Sequence, residues 1–214
     1  AVGVKRLVFL SSVKVNGEST QTGDAFRPND CPFPGDPYAV SKWEAEKGLM
    51  EVARNTGLEV VIIRPPLVYG SGAKGNFATL IKWVRRGVPL PLGAVNNQRS
   101  LIGLENLVDF ITLCADRAAT PQAANQVFLV SDGKPVSTTE LLQKIAAAYG
   151  TRHLLVPVPS GLMRFFAAMV GKAAVADRLL GSLVVDDSKA REMLGWRPPL
   201  SMEEQLRRMA AIDG

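Results

Sequence analysis

Two short runs of consecutive apolar residues, separated by a helix-forming segment, constrain the fold of this chain most. The first run is Leu7–Leu10, and the second is Glu59–Ile63, which is apolar after its first residue. Continuous rather than alternating apolar character predicts parallel strands that are covered on both faces. The segment from Pro37 to about Thr56 predicts a helix between them, so we expect a right-handed βαβ unit. The chain is therefore predicted to have an α/β fold with a doubly wound parallel sheet.

A third apolar run and several helical patterns extend this unit. Val127–Val130 predicts another parallel strand, and it follows a predicted helix from about Leu104 to Arg117. The other helical patterns cover residues 77–86, 137–149, 161–170, 188–194 and 201–211. Thr138 and Ser201 are the expected N-caps of two of these helices. We expect a sheet domain made of residues 1–70 and about 101–133, and a second, small and mostly helical domain made of about 71–100 and 134–214.

Charge and hydropathy argue against a nucleic-acid-binding protein and against a membrane protein. The net charge of +5 is spread along 214 residues, and the basic pairs Arg85-Arg86 and Arg207-Arg208 have no interleaved aromatic residues. This pattern predicts solvated helix faces rather than a nucleic-acid surface, and a mild positive balance suits an anionic small substrate. No apolar stretch reaches the roughly 20 residues of a membrane span, so we expect no membrane partner.

The cysteines and the histidine form no metal or disulfide pattern. Cys31 and Cys114 are far apart, and His153 is the only histidine, in a loop-like stretch. This spacing argues against a zinc site and against a disulfide framework. We therefore expect no metal and a reducing, cytoplasmic setting.

The helix that begins at Pro37 carries the most informative pair of side chains. Asp36 is a suitable N-cap, and Gly57 is the expected C-terminal stop. Tyr38 and Lys42 are four residues apart and therefore lie one turn from each other on one face. The predicted buried stripe comprises Tyr38, Lys42, Ala45, Leu49 and Val52, and the predicted solvent face comprises Glu44, Glu46, Lys47, Glu51 and Arg54.

This pair has a chemical use. A phenol titrates near pH 10 unaided, and an ammonium group one turn away favours the phenolate and lowers that pKa. The two side chains can then exchange a proton with a substrate hydroxyl near neutral pH. The structural alternative is a tyrosine at the edge of the core beside a lysine whose stem packs on apolar surface. Neighbouring motifs have to decide between these interpretations.

The first predicted strand ends in Ser11-Ser12, at the position where open α/β sheets bind ligands. A hydroxyl there can hydrogen-bond a substrate oxygen and polarise a carbonyl. The alternative is a serine that only caps the strand end. With the Tyr38–Lys42 pair on the next helix, the functional interpretation is favoured. The long connections at residues 13–36 and 64–76 are also typical of functional loops.

A glycine-rich string, Gly70-x-Gly72-x-x-Gly75, matches the dinucleotide fingerprint by letters alone. The fingerprint needs a tight strand-to-helix turn, whereas Pro65-Pro66 intervene here. It also needs an acidic residue about 20 positions further on, and none is present there. We interpret the string as a flexible loop over a substrate.

Several ordered motifs together resemble the extended short-chain dehydrogenases/reductases of the NAD-dependent epimerase/dehydratase family. They are strand-Ser-Ser, a long loop, PYxxSK, strand-RPxxVYG, PLxLGxxxxxR and a C-terminal Asp187-Ser188-Lys189-Ala190 with Leu194-Gly195-Trp196. The resemblance implies the carboxyl portion of a Rossmann-type doubly wound sheet with a small helical substrate domain. It also implies that the glycine-rich loop and the ribose-binding acid lie in a segment before this chain. Two stretches depart from the family pattern. Asn16 stands where many members have an aromatic residue. Residues 99–106, where the family usually has RDxxYVxD, have the sequence RSLIGLEN in this chain.

The resemblance implies a role for each matching residue. Ser12, Tyr38 and Lys42 would be catalytic. The nicotinamide cofactor, NAD or NADP, would contact Leu10, Ser11, Tyr38, Lys42, Pro65, Pro66, Leu67 and Val68. The substrate would contact Ser12, Val13, Lys14, Asn76, Phe77, Leu92 and Arg99.

The implied activity is chemistry at C4 of a UDP-hexose or UDP-N-acetylhexosamine. Both a 4-epimerase and a 4-keto reductase fit the motifs, and the closest-looking subgroup serves bacterial polysaccharide precursor synthesis. The resemblance also implies a homodimer. The alternative from another class is an inactive or truncated module that binds a nucleotide sugar without catalysis.

Overall fold

The computed structural model describes residues 3–72, 76–152, 154–169, 171 and 173–213, which form five strands and eight α-helices. The strands are β1 (Arg6–Leu10), β2 (Glu59–Arg64), β3 (Leu67–Tyr69), β4 (Leu101–Gly103) and β5 (Gln126–Leu129). The helices are α1 (Pro37–Thr56), α2 (Asn76–Arg85), α3 (Leu104–Ala115), α4 (Thr138–Ala148), α5 (Ser160–Met169), α6 (Ala173–Leu180), α7 (Ser188–Leu194) and α8 (Met202–Asp213). Short 3₁₀ turns occur at Val13–Val15 and Pro121–Ala123.

The three predicted apolar runs form one parallel sheet in the order β1-β2-β5. The α/β fold and its parallel sheet are therefore confirmed. β2 is the central strand, and its residues Val60–Ile63 are fully buried. β1 differs from the prediction, because Leu7 and Leu10 are 36% and 41% exposed. The expectation that both faces of this strand are covered is therefore wrong for β1. This strand also lies at the edge of the sheet, since among the described strands it pairs only with β2.

A second, two-stranded parallel sheet joins β3 to β4 and was not predicted. Three-residue strands are too short to show a period, so the sequence pattern contains little signal for them. β4 ends at Gly103, where the side chain of Gln205 lies 1.6 Å from the position that a Cβ atom would occupy. The glycine therefore lets α8 pack directly against this small sheet.

The hydrophobic core consists of two main clusters. One lies among α2, α4 and α8 and includes Phe77, Leu142 and Leu206. The other covers one face of the three-stranded sheet, where Phe110 packs edge-on against the rings of Phe128 and Trp196. α7 also packs against β5 in this second cluster, although its residues fall in the segment expected for the substrate domain.

The helix termini correct one detail of the sequence analysis and match another. The N-cap of α4 is Ser137 rather than Thr138, since Ser137 and Glu140 exchange the reciprocal bonds of a capping box. The expected cap of α8 is present, because the backbone N–H of Glu204 donates to the hydroxyl of Ser201. α6 was not predicted. His153 lies outside the described residues.

No helix in the described ranges combines the length and hydrophobicity that a bilayer crossing needs.

Candidate active site

α1 begins and ends where the sequence predicts, and this places its first turn at the carboxyl edge of the sheet. The side chain of Asp36 accepts a hydrogen bond from the backbone N–H of Ala39 at 2.7 Å. Pro37 occupies the first helical position, where its missing N–H is not needed. Gly57 ends the helix with a left-handed φ of 70°, a conformation that glycine adopts without strain.

Tyr38 and Lys42 lie next to each other on this helix. The ammonium nitrogen of Lys42 is 5.8 Å from the ring centroid of Tyr38 and 4.9 Å from that of Phe9. It also donates a 3.0 Å hydrogen bond to the backbone carbonyl of Leu10, at the end of β1. The lysine therefore connects the tyrosine helix to the end of the first strand.

The burial of α1 differs from the predicted stripe. Tyr38 is 53% exposed and Val52 is 44% exposed, so neither belongs to the core. The buried residues of the helix are Ala39, Glu46 and Ala53. The prediction that Tyr38 continues the apolar stripe is wrong, because the packed face of α1 is rotated by about one residue. The phenol is accessible to a ligand as a result.

Glu46 was expected to face water, and this expectation is also wrong. Glu46 is 1% exposed and forms a two-pronged ion pair with Arg64, with 2.9 Å from Nε to Oε1 and 2.6 Å from Nη2 to Oε2. Arg64 donates a third bond from Nη1 to the side-chain oxygen of Asn16 at 3.0 Å. A charged residue at the end of an apolar strand needs a buried partner, so Arg64 was the signal that sequence reasoning missed.

The two serines at the end of β1 have different surroundings. The hydroxyl of Ser11 is buried and donates to Glu46 at 2.5 Å. Ser12 is half-buried, and its oxygen accepts a 3.2 Å bond from the backbone N–H of Lys14, which caps the 3₁₀ turn. This bond uses a lone pair of Ser12 rather than its proton. Ser12 can therefore donate to a ligand oxygen, whereas Ser11 uses its proton inside the protein.

Lys14 and Val13, both predicted to contact a substrate, are held by the protein itself. Lys14 forms ion pairs with Asp36 and with Glu18. The hydrogen bond to Asp36 is the main cause that raises the pKa of Lys14 above its usual range. Val13 is 4% exposed and belongs to a small core cluster.

The residues after β2 that are predicted to contact the cofactor differ in their exposure. Pro65 and Pro66 are buried, and the carbonyl of Pro65 accepts a 3.0 Å bond from the backbone N–H of Val13. Val68 is half-buried, and Leu67 is 42% exposed. Leu67 and the exposed Leu10 are therefore the apolar side chains that this edge offers to a ligand.

The predicted substrate residues in the segment expected to form the substrate domain are mostly buried or held by the protein itself. Phe77 and Leu92 are 1% and 5% exposed and belong to the helical core cluster, so their side chains do not line an open surface. Arg99 is half-buried and donates to the carbonyl of Gly181 at 3.0 Å, and burial lowers its pKa. Asn76 is the first residue of α2, and its side chain lies outside the described part of the structure. Residue Gly75 of the rejected glycine string is also outside it.

The sequence matches one protein family and several known proteins. A family model described as "NAD dependent epimerase/dehydratase family" matches residues 1–129. The chain is 48% identical over 209 residues to a UDP-glucose 4-epimerase of Vibrio cholerae, which covers 97% of this chain and 63% of that protein. It is 29% identical over 165 residues to an N-acetyl-alpha-D-glucosaminyl-diphospho-ditrans,octacis-undecaprenol 4-epimerase of Escherichia coli O157:H7, which covers 75% of this chain and 48% of that protein.

Solved structures share the fold. The UDP-N-acetylglucosamine 4-epimerase from Bacillus cereus superposes with a TM-score of 0.76 at 19% identity, over 96% of this chain and 65% of that one. The Thermus thermophilus UDP-glucose 4-epimerase in complex with NAD gives a TM-score of 0.73 at 23% identity, over 98% of this chain and 64% of that one. This chain thus spans less than two thirds of the length of these relatives. With the family model matching more than half of its residues, the chain belongs to the NAD dependent epimerase/dehydratase family.

Proposed function

We propose that this protein is a UDP-sugar 4-epimerase that works with a nicotinamide cofactor, NAD or NADP. The observation that carries the proposal is the placement of Lys42, which bonds to the end of β1 and lies beside the exposed phenol of Tyr38. Parallel sheets bind ligands at their carboxyl edge. The 48% identity to a UDP-glucose 4-epimerase supports the reaction type.

The described residues fit the nicotinamide end of such a cofactor. Leu10 and Leu67 present apolar side chains at the carboxyl edge, where a flat ring can pack. Lys42, which bonds to the carbonyl of Leu10, and the neighbouring Tyr38 are hydrogen-bond donors suited to ribose hydroxyls. A cofactor held at these residues would supply a reversible hydride acceptor for C4 of the sugar.

The protein's own residues handle the proton and the sugar oxygen. The side chain of Tyr38, as phenolate, would accept the proton of the C4 hydroxyl, and the resulting phenol would later give it back. The hydroxyl of Ser12 would donate to the C4 oxygen and hold it near Tyr38. Arg99 and Asn76 are the proposed contacts to the diphosphate of the substrate, where a guanidinium suits phosphate oxygens.

The relatives favour an epimerase over a 4-keto reductase. An epimerase interconverts two C4 isomers without net use of cofactor, whereas a reductase consumes reduced cofactor once per product. The relative from Escherichia coli acts on an N-acetylglucosaminyl group linked to a polyprenyl diphosphate. On this basis we also propose a UDP-N-acetylhexosamine as a candidate substrate and polysaccharide precursor synthesis as the process. A homodimer and a cytoplasmic site of action complete the proposal.

A Tyr38→Phe variant tests this function directly. We expect the intact protein, supplied with NAD, to interconvert UDP-glucose and UDP-galactose or their N-acetylated forms. Loss of the phenolic proton should lower kcat by at least about 100-fold, while the exposed position leaves folding unchanged. Chromatography of the sugar products and circular dichroism measure the two effects. Retained turnover in Tyr38→Phe would contradict the assignment, and stoichiometric oxidation of NADPH with a 4-keto UDP-sugar would make the protein a reductase.

A further inference from the structure

Three contacts join the segment around Ser12 to successive turns of α1. They are the bond from Lys42 to the carbonyl of Leu10, the bond from Ser11 to Glu46, and the ion pair of Lys14 with Asp36. The contacts involve residues on both sides of Ser12 in the sequence. Because α1 also carries Tyr38, this arrangement couples the position of Ser12 to that of the phenol.

Glu46 is the buried member of these contacts. Its carboxylate accepts from Ser11, the residue after β1, at 2.5 Å and from Arg64 of β2 at 2.6 and 2.9 Å. The side chains of Glu46 and Arg64 are 2% and 3% exposed. One carboxylate from the middle of α1 therefore joins this helix to the carboxyl ends of β1 and β2.

Arg64 extends the same network to the loop beyond Ser12. It donates to the side-chain oxygen of Asn16 at 3.0 Å, and the amide nitrogen of Asn16 donates to the carbonyl of Arg27 at 2.9 Å. Asn16 immediately follows the 3₁₀ turn that Ser12 caps. The network thus holds both ends of the short segment that contains Ser12.

We propose that Glu46 is a positioning residue that fixes the Ser12 hydroxyl relative to Tyr38 and Lys42; this inference rests on the proposed function. A buried ion pair contributes little net stability, because the cost of removing both charges from water offsets their attraction. Fixed bidentate geometry is what a guanidinium–carboxylate pair supplies best. A reacting group misplaced by about 1 Å can lose roughly 100-fold in rate.

Ser11→Ala is the first test, because it removes the bond to Glu46 and leaves the ion pair with Arg64 in place. We expect kcat for UDP-glucose to fall about tenfold while KM stays within about twofold, since the substrate contacts remain. A second variant, Glu46→Met with Arg64→Met, replaces both charges with apolar side chains, a change that buried pairs tolerate. In that background Ser11→Ala should have no further effect on kcat, because the bond that it removes is already lost.

Thr120→Val is the matched control at the opposite edge of the sheet. The hydroxyl of Thr120 is also buried and bonds to an arginine of an ion pair, since Arg6 donates to it at 3.0 Å and pairs with Glu59. Arg6 and Glu59 are the first residues of β1 and β2, so this pair lies at the amino ends of the strands. The control should lower thermal stability about as much as Ser11→Ala does and leave kcat unchanged.

The outcomes separate this inference from the proposed function. Equal effects of Ser11→Ala and Thr120→Val on kcat, or full additivity of Ser11→Ala in the double-methionine background, would overturn the positioning role. If the unmodified protein converts neither UDP-glucose nor UDP-N-acetylglucosamine, the proposed function fails, and hydrogen exchange of residues 10–16 decides the inference. Faster exchange there in Ser11→Ala but not in Thr120→Val supports it, and unchanged exchange in both overturns it.

Discussion

At the scale of single residues, Cys31 and Cys114 should differ sharply in reactivity. Cys31 is exposed, whereas Cys114 is fully buried in α3, and burial raises the pKa of its thiol to about 12. Only the thiolate reacts rapidly with alkylating agents. We expect iodoacetamide at pH 8 to modify Cys31 in the native protein and Cys114 only after unfolding. Peptide mass spectrometry with and without guanidinium measures this, and native labelling of both thiols at one rate would contradict the burial of Cys114.

Protonation of Glu59 should lower the stability of the protein in acid. The hydrogen bond from Arg117, followed by that from Arg6, lowers the pKa of Glu59 from 4.5 to about 2. A carboxylate with a lowered folded-state pKa contributes stability that is complete above pH 4.5 and is lost as the pH falls towards 2. We expect Glu59→Gln to lower Tm at pH 7 and to differ little from the unmodified protein near pH 2.

Thermal melts between pH 7 and pH 2 test the role of Glu59. Glu44→Gln is the control, because Glu44 lies on the exposed face of α1. A constant Tm difference across this range would show that the carboxylate of Glu59 is not the titrating group.

At the scale of elements, the start of α1 depends on Asp36. This side chain caps the helix through the N–H of Ala39 and also pairs with Lys14. Replacing an N-cap acceptor with alanine costs about 1 kcal/mol. We expect Asp36→Ala to lower the unfolding free energy by about that amount, and Asp36→Asn to lower it less, because asparagine retains the acceptor without the charge. Urea denaturation measures both, and equal losses would mean that the ion pair matters more than the cap.

The elements also show which local sequence signals were sufficient to predict the ends of a helix or the presence of a strand. The capping residues and Gly57 defined α1 to the residue, because caps act through neighbours in the chain. The N-cap of α4 was placed one residue late, at Thr138 instead of Ser137, since both residue types can cap a helix. The strands β3 and β4 left no local pattern, because their stability comes from pairing across about thirty residues of sequence.

At the scale of the whole molecule, Asp132 connects the small sheet to α8. Its carboxylate accepts from Tyr69 at 2.5 Å, from Asn106 at 2.7 Å and from the backbone N–H of Gly103 at 3.1 Å. Gln205 of α8 donates to the phenol oxygen of Tyr69 at 3.2 Å. Burial is the main cause that raises the pKa of both Asp132 and Tyr69.

An Asp132→Ala variant should weaken this connection between the small sheet and α8. It leaves several buried donors without their acceptor, and an unsatisfied buried group costs roughly 1–3 kcal/mol. We expect the free energy of unfolding to fall by about 2 kcal/mol. Urea denaturation measures the change, with the exposed Asp24→Ala as control. Equal stability of the two variants would show that the hydrogen bonds to Asp132 do not stabilise the folded protein.

The sequence by itself determined the parallel strands, the α1 helix with Tyr38 and Lys42 one turn apart, and the family resemblance. These features depend on neighbours within a few residues or on motifs in a set order. Only the tertiary structure decided that Glu46 is buried, that Tyr38 is exposed, and that Lys14 pairs with Asp36. The hydrophobic period and the helix propensity of α1 do not specify which of its sides packs against the charged end of a strand. The partner of Glu46 is Arg64, which belongs to a different element, so this contact exists only in the folded chain.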